Sequence, residues 1–200
     1  MSVTKFASTG EITTNFLLND VAVWLMNTTG TGSYTSTQWK MLGFTSAEKS
    51  INPITEKYER MDKIPRVLTY SKTIKKGLEV KCTLSNQSAE LDAVIMQGVF
   101  STLGATGVEV GFGVNEPALE YRAVRFAATL DDGKTWTLTI PKCEMRQDGE
   151  KSIGGESETV TPLIFKATYN SKEVANDRDL YYVQYLTSGV SATADIPPGY

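Results

Sequence analysis

Apolar residues recur at every second position through much of this chain. Five segments show the pattern, and these are residues 21–25, 78–84, 124–130, 136–140 and 163–169. A period of two is that of a β-strand with one buried face and one solvated face. At 200 residues the chain is long enough for one full core and short for two. We therefore predict a mostly β, antiparallel sandwich or barrel in a single domain, residues 1–200.

Two local signals refine the strands after residue 121. Residues 131–133 read Asp-Asp-Gly, which predicts a tight hairpin turn. Pro141 lies inside the following apolar run, and beyond it the apolar positions change parity to Cys143 and Met145. Because proline has no N–H to donate to a neighbouring strand, we expect a bulge or an edge position there.

One segment has a helical pattern. Ser88 is placed to cap a helix, and Glu90 and Asp92 suit its first turn. The apolar residues that follow recur at helical spacing, and they are Leu91, Val94, Ile95 and Val99. The sequence predicts one flanking helix over residues 88–100, with its apolar face packed on the core.

Three polar stretches predict long loops. Residues 45–65 are charged, bracketed by prolines and without a steady apolar period, and residues 27–37 and 104–117 are rich in small residues. Loops beyond about 12–15 residues are usually functional, although a solvated excursion is the alternative for residues 45–65. For residues 187–200 a disordered end or an arm that docks on a neighbour both fit.

Tyrosines cluster near the end of the chain. Tyr181, Val183 and Tyr185 alternate, which is typical of one face of a packed strand. A binding face for a carbohydrate or a protein is the alternative, but packing is the preferred interpretation.

Composition excludes several classes of protein. The chain has 20 Lys and Arg against 23 Asp and Glu, which argues against a protein that grips nucleic acid through a basic face. No apolar run approaches the ~20 residues of a membrane span, and the N-terminus has no signal-peptide core. We expect a cytoplasmic place of synthesis and no membrane partner.

Candidate chemistry is sparse. The chain has no histidine, which removes the commonest general base and metal ligand. Cys82 and Cys143 lack zinc-site spacing and are expected to be reduced core thiols. Acidic pairs such as residues 131–132 fall in turns, and the glycines of residues 104–113 lack the residues of a phosphate-binding loop. We therefore expect no catalytic residue, cofactor or metal.

The order of elements resembles that of a known family. Residues 43–62 (GFTSAEKSINPITEKYERMD) look like a strand and an extended loop, and residues 67–95 (VLTYSKTIKKGLEVKCTLSNQSAELDAVI) like a hairpin leading into a helix. Residues 119–170 look like closing strands that contain a Gly turn and a late proline. Over about two thirds of the chain this order resembles the major tail tube protein of long-tailed, non-contractile (siphovirus-type) bacteriophages.

The resemblance implies a structural role. Six copies would form a ring, and rings would stack into a tube through which DNA passes without specific binding. Residues 1–10 and 187–200 would be arms, and residues 45–65 a loop between rings. The implied inter-subunit contacts are Ile54, Thr55, Glu56, Lys57, Tyr58, Glu59 and Arg60. The implied partners are the tape measure, terminator and distal tail proteins, first in the host cytoplasm during assembly and finally in the virion.

Other functions stay open at this stage. The inner tube of a contractile tail, bacteriocin or secretion machine shares the architecture, and a neighbouring sheath gene would distinguish it. A monomeric β-sandwich binding module has a similar composition. An enzyme is the weakest hypothesis.

Overall fold

The computed structural model describes ten parts of the chain: residues 21–26, 39–62, 67–85, 92, 99–103, 107–111, 122–130, 132–150, 160–169 and 179–191. Within them the backbone forms nine strands. They are β1 (Ala22–Met26), β2 (Trp39–Asp62), β3 (Val67–Leu84), β4 (Val99–Thr102), β5 (Val108–Gly111), β6 (Arg122–Thr129), β7 (Thr135–Gln147), β8 (Thr161–Ala167) and β9 (Tyr182–Leu186). This confirms the predicted mostly β class.

Six of the strands close into a ring. Their order is β6-β1-β2-β3-β8-β7, and β7 pairs again with β6, so the main sheet returns on itself as a barrel. Every pairing is antiparallel. β9 adds to the first half of β7 on the side away from β6, and β4 and β5 form a separate two-stranded sheet. Within the ring, closure removes the free edges that an open sheet would expose.

The barrel interior is the main core. It takes one face of each ring strand, and its largest fully buried side chains include Phe165, Leu78, Leu138 and Ile140. Phe126 and Phe165 meet edge to face with ring centroids 5.1 Å apart. The alternation in the sequence predicted these inward faces correctly.

The break in β7 lies where the sequence predicted it. Ile140 pairs with Val124 and Cys143 with Arg122, so β7 contains one extra residue at Pro141 and Lys142. The bulge restores the inward direction of Cys143. It also separates the part of β7 that pairs with β9, residues 135–139, from the part that pairs with β8, residues 143–147.

The predicted turn joins β6 and β7. Gly133 has φ +77°, and its N–H donates to the Leu130 carbonyl oxygen over 2.9 Å. The Lys134 N–H donates to Asp132 Oδ1 over 3.0 Å. Only glycine adopts this left-handed conformation without strain, which explains its place in the turn.

Two segments that were predicted to be loops contain strands in the described residues. Residues 45–62 belong to β2, and residues 108–111 of the predicted 104–117 loop form β5. Residues 45–62 lack an apolar period because most of this stretch pairs with β3 without resting on the core, so its side chains stay exposed.

The predicted helix ends too late. Asp92 is helical, but Val99 and Phe100 belong to β4, because β-branched and aromatic residues also suit a strand. Most of residues 88–98 lies outside the described residues. So do residues 1–10, 27–37 and most of 187–200.

Candidate assembly surface

One part of the main sheet leaves the barrel. The last barrel pairing of β3 toward its start is Glu79 with Lys166 of β8. Beyond that point residues 53–62 and 67–78 pair only with each other, and we call this pair of segments the distal hairpin. Ten residues at about 3.4 Å each carry it roughly 34 Å outward.

Its backbone register is irregular at two places. Glu56 pairs with Lys75 but Lys57 with Thr73, and Arg60 pairs with Tyr70 but Met61 with Leu68. Each irregularity leaves one extra residue in β3. Bulges of this kind bend a ribbon and increase its right-handed twist. The distal hairpin is therefore a twisted ribbon.

At the base of the distal hairpin an isoleucine lies opposite a glycine. Ile54 is half-buried and pairs with Gly77. A Cβ placed on Gly77 would lie 3.6 Å from the Ile54 Cβ, which is ordinary contact. The space beside Ile54 therefore accommodates a small side chain at residue 77.

The structure places the seven predicted contact residues next to one another on β2. Ile54 is half-buried, Tyr58 is 52% exposed, and Thr55, Glu56, Lys57 and Glu59 are exposed as well. The backbone of Arg60 continues the strand, and its side chain lies outside the described part. Their role in contacts between subunits stays a prediction.

Both edges of the distal hairpin are open within the described residues, since no third strand there pairs with residues 53–62 or 67–78. A two-stranded ribbon is at best marginally stable in water by itself. Open edges present rows of N–H and C=O groups that template pairing with another chain. The arrangement suits a surface that is completed by a neighbour.

A second exposed surface lies on β9, where the sequence analysis preferred packing and kept a binding face as the alternative. Val183 is 44% exposed and Tyr185 is 59% exposed. The packing interpretation is therefore wrong for these two residues, although Tyr181 is half-buried against the core. Alternation fixes which residues share a face, but an edge strand and a central strand give the same alternation.

The described residues contain little reactive chemistry. Cys82 and Cys143 are free and buried, as predicted. Burial raises the pKa of Cys82 to about 12 and raises the pKa of Cys143 further. No group of three acidic or cysteine side chains that suits a metal occurs there, and no helix there is long and apolar enough to cross a membrane.

The barrel surface differs from the distal hairpin in how its lysines are neutralised. Lys81 lies 2.9 Å from an Asp148 oxygen, Lys134 lies 2.6 Å from Asp132, and Lys166 lies 3.8 Å from Glu79. The Asp148 hydrogen bond and charge raise the pKa of Lys81. These barrel lysines have carboxylate partners in their own chain.

Comparison with known proteins gives distant structural matches. No protein-family model matches the chain, and no curated protein matches it. A chain from the sheath–tube complex of the PVC extracellular contractile injection system, in its extended state, is 10% identical with a TM-score of 0.49. That match covers 88% of this chain and 95% of the other.

A second solved structure gives a similar result. It is a chain of the anti-feeding prophage cap, the AFP tube-terminating cap, at 11% identity and a TM-score of 0.46. The match covers 90% of this chain and 99% of that one. Similarity at this level establishes no function for this chain.

Proposed function

We propose that this chain is the structural subunit of a tail tube. Copies assemble into hexameric rings, and the rings stack around a channel through which DNA leaves. The observation that carries the proposal is the distal hairpin, a ribbon about 34 Å long that leaves a closed barrel. Neither of its edges pairs with another described strand.

The distal hairpin supports assembly because the contacts described within its own chain do not account for its stability. None of the buried side chains of the described core comes from residues 54–77. Where the structure describes the side chains of residues 54–77, none packs into the barrel core, and edge pairing and side-chain contact with a neighbour give the ribbon its stability. A second copy of the same chain can be that neighbour.

The tube role also fits the near-balanced charge. A wall that passes DNA must not hold it, and each phosphate gripped by a cation would slow transit. The chain carries a net charge of −3. Tape measure, terminator and distal tail proteins are the proposed partners in the particle.

The proposed particle is a long, non-contractile phage tail, following the resemblance of residues 43–62, 67–95 and 119–170. A contractile tail or injection machine would use the same subunit contacts. A sheath gene beside the gene for this chain distinguishes the contractile form from the non-contractile one.

Shortening the distal hairpin tests the proposal. Pro53 and Leu78 face each other, so replacing residues 54–77 with Asn-Gly closes the strands with a two-residue turn. We expect the full chain to sediment as large assemblies and the shortened chain as a monomer. Thermal unfolding of the shortened chain checks that the barrel is intact.

Either of two results contradicts the proposal. In one, the full chain stays monomeric at every concentration, and in the other, the shortened, folded chain assembles as well as the full one. The first result removes self-assembly, and the second removes the distal hairpin from it.

A further inference from the structure

Strand β9 has an unprotected edge. It lies at the end of the main sheet, and within the described part of the chain it pairs only with β7. Residues 182–186 contain no charged side chain and no proline, and their register with β7 has no bulge. Edge strands commonly avoid pairing with other chains by such charges, prolines or bulges, or by a covering segment. Of these means, a covering segment is the one that β9 leaves open.

One face of β9 is apolar and exposed next to this edge. Val183 is 44% exposed and Tyr185 is 59% exposed, and Tyr181, two residues earlier, packs against the core. The two exposed side chains continue a row that begins with Leu138 and Trp136 of β7, their partners in register. A segment that covers the edge therefore suits this surface best if its own apolar side chains lie on the same face.

The turn after β9 directs the chain back along the strand. The Val190 N–H donates to the Thr187 carbonyl oxygen over 3.1 Å, and Gly189 has the positive φ of +84° that such a turn accommodates. The other side of β9 is already occupied, because Leu186 pairs with Thr135 of β7. The chain that follows the turn therefore starts beside the open edge.

The sequence that follows the turn has the matching pattern. Residues 192–196 (ATADI) alternate between apolar and polar side chains, which is the period of a strand with one apolar face. Five extended residues span about 17 Å, which is also the length of the five-residue β9. Residues 197–198 are prolines, which cannot donate to a sheet and would end the pairing there.

We infer that residues 192–196 add to the open edge of β9 in the same chain as an antiparallel strand. The register follows from the turn, in which Thr187 lies opposite Val190. It brings every apolar residue of the segment onto the exposed face of β9 and every polar residue onto the other face. The pairs are Tyr185 with Ala192, Gln184 with Thr193, Val183 with Ala194, Tyr182 with Asp195, and Tyr181 with Ile196.

The short connection favours the chain's own segment over that of a second copy. A tether of a few residues gives an effective concentration on the order of millimolar, above that of a dilute partner. The pairing shields β9 within one subunit and leaves the distal hairpin as the edge that is open to other copies. The inference does not depend on the proposed tube role, so the two can fail separately.

A pair of introduced cysteines tests the register. In the inferred strand Gln184 and Thr193 lie directly opposite, with Cα atoms about 4.5 Å apart, which suits a disulfide. Gln184→Cys with Thr193→Cys is oxidised and compared with Gln184→Cys with Ala194→Cys, in which the second side chain would lie on the other face. The native cysteines, Cys82 and Cys143, are buried and do not compete.

We expect a disulfide within one chain, with a yield at least about threefold higher for the first pair than for the second. Mass spectrometry and a non-reducing gel distinguish it from a disulfide between chains. Equal yields would mean that the segment has no fixed register, and a disulfide between chains would mean that it covers a neighbour's β9. Either result overturns the inference and leaves the proposed function standing.

Hydrogen exchange tests the pairing without introduced cysteines. In the inferred register the amides of Val183 and Tyr185 donate to the added strand, so they should be protected. A chain that ends at Ser191 is compared, in dilute solution, with a chain that ends at Ile196 and keeps the segment. We expect these two amides to exchange about tenfold or more faster in the shorter chain. The same exchange rate in both chains overturns the inference.

Discussion

Arg125 donates a hydrogen bond from its Nε to Thr139 Oγ1 over 2.9 Å, across the pairing of β6 with β7. Both residues are buried, and the guanidinium also lies 4.6 Å from the centre of the Trp39 ring. A buried cation is tolerated only with such contacts. This bond therefore joins β6 to β7 on the side of the barrel wall that points away from the core.

Thr139→Val should destabilise the fold. Valine keeps the shape but removes the oxygen that accepts the buried Nε–H, at a cost of about 1–3 kcal/mol in the free energy of unfolding. Denaturant unfolding measures the change. A loss below about 0.5 kcal/mol would show that the hydrogen bond is dispensable.

Thr137→Val is the matched control for that variant. Thr137 is as buried as Thr139 and lies two residues away on the same strand, yet its hydroxyl makes no hydrogen bond in the structure. Valine there removes a desolvated polar group, so stability should stay equal or rise by about 1 kcal/mol. Equal losses of unfolding free energy in the two variants would contradict a stabilising role for the Arg125–Thr139 hydrogen bond.

Gly133→Ala should destabilise the β6–β7 turn. At φ +77° alanine is strained, and its Cβ would lie 3.2 Å from Ser188 Oγ, so we expect a loss of about 1–2 kcal/mol. Gly77→Ala is the control, because its Cβ meets Ile54 at an ordinary 3.6 Å. Thermal unfolding of both variants measures the difference, and similar melting temperatures would be inconsistent with the turn.

Leu186 and Val183 should respond differently although both lie on β9. Leu186 is 5% exposed, and Leu186→Ala should cost about 2–5 kcal/mol. Val183 is 44% exposed, and Val183→Ala should cost less than about 1 kcal/mol. Comparable losses in denaturant unfolding would restore the packing interpretation of the tyrosine cluster.

Stability should fall at alkaline pH through Cys82. Burial raises its pKa from 9.0 to about 12, so the folded chain keeps a proton that the unfolded chain releases. The contribution is intact below about pH 9 and is lost as pH rises toward about 12. Unfolding measured over this range should fall less steeply for Cys82→Ala, and identical slopes would contradict the shift.

The sequence predicted the barrel better than the surface. Inward residues such as Val80 and Phe126 repeat with the period of the strand because one buried face demands it. The bulge at Pro141 followed from the same pattern, since a change of parity and a missing N–H coincide there.

The β2 half of the distal hairpin escaped sequence analysis for a physical reason. It is held by backbone pairing with β3, as between Glu59 and Ser71, and its exposed side chains leave no periodic signal. Residues 45–62 therefore looked like a loop, although their proposed role in contacts did not depend on that. Val183 and Tyr185 were misjudged because alternation does not report what covers a face.

The central claim is self-assembly of this chain into hollow structures, and negative-stain electron microscopy of the purified protein tests it most directly. Samples at low and high concentration are imaged, and the same samples are analysed by sedimentation velocity. The account predicts rings or tubes whose abundance rises with concentration. A monodisperse monomer at every concentration would contradict it.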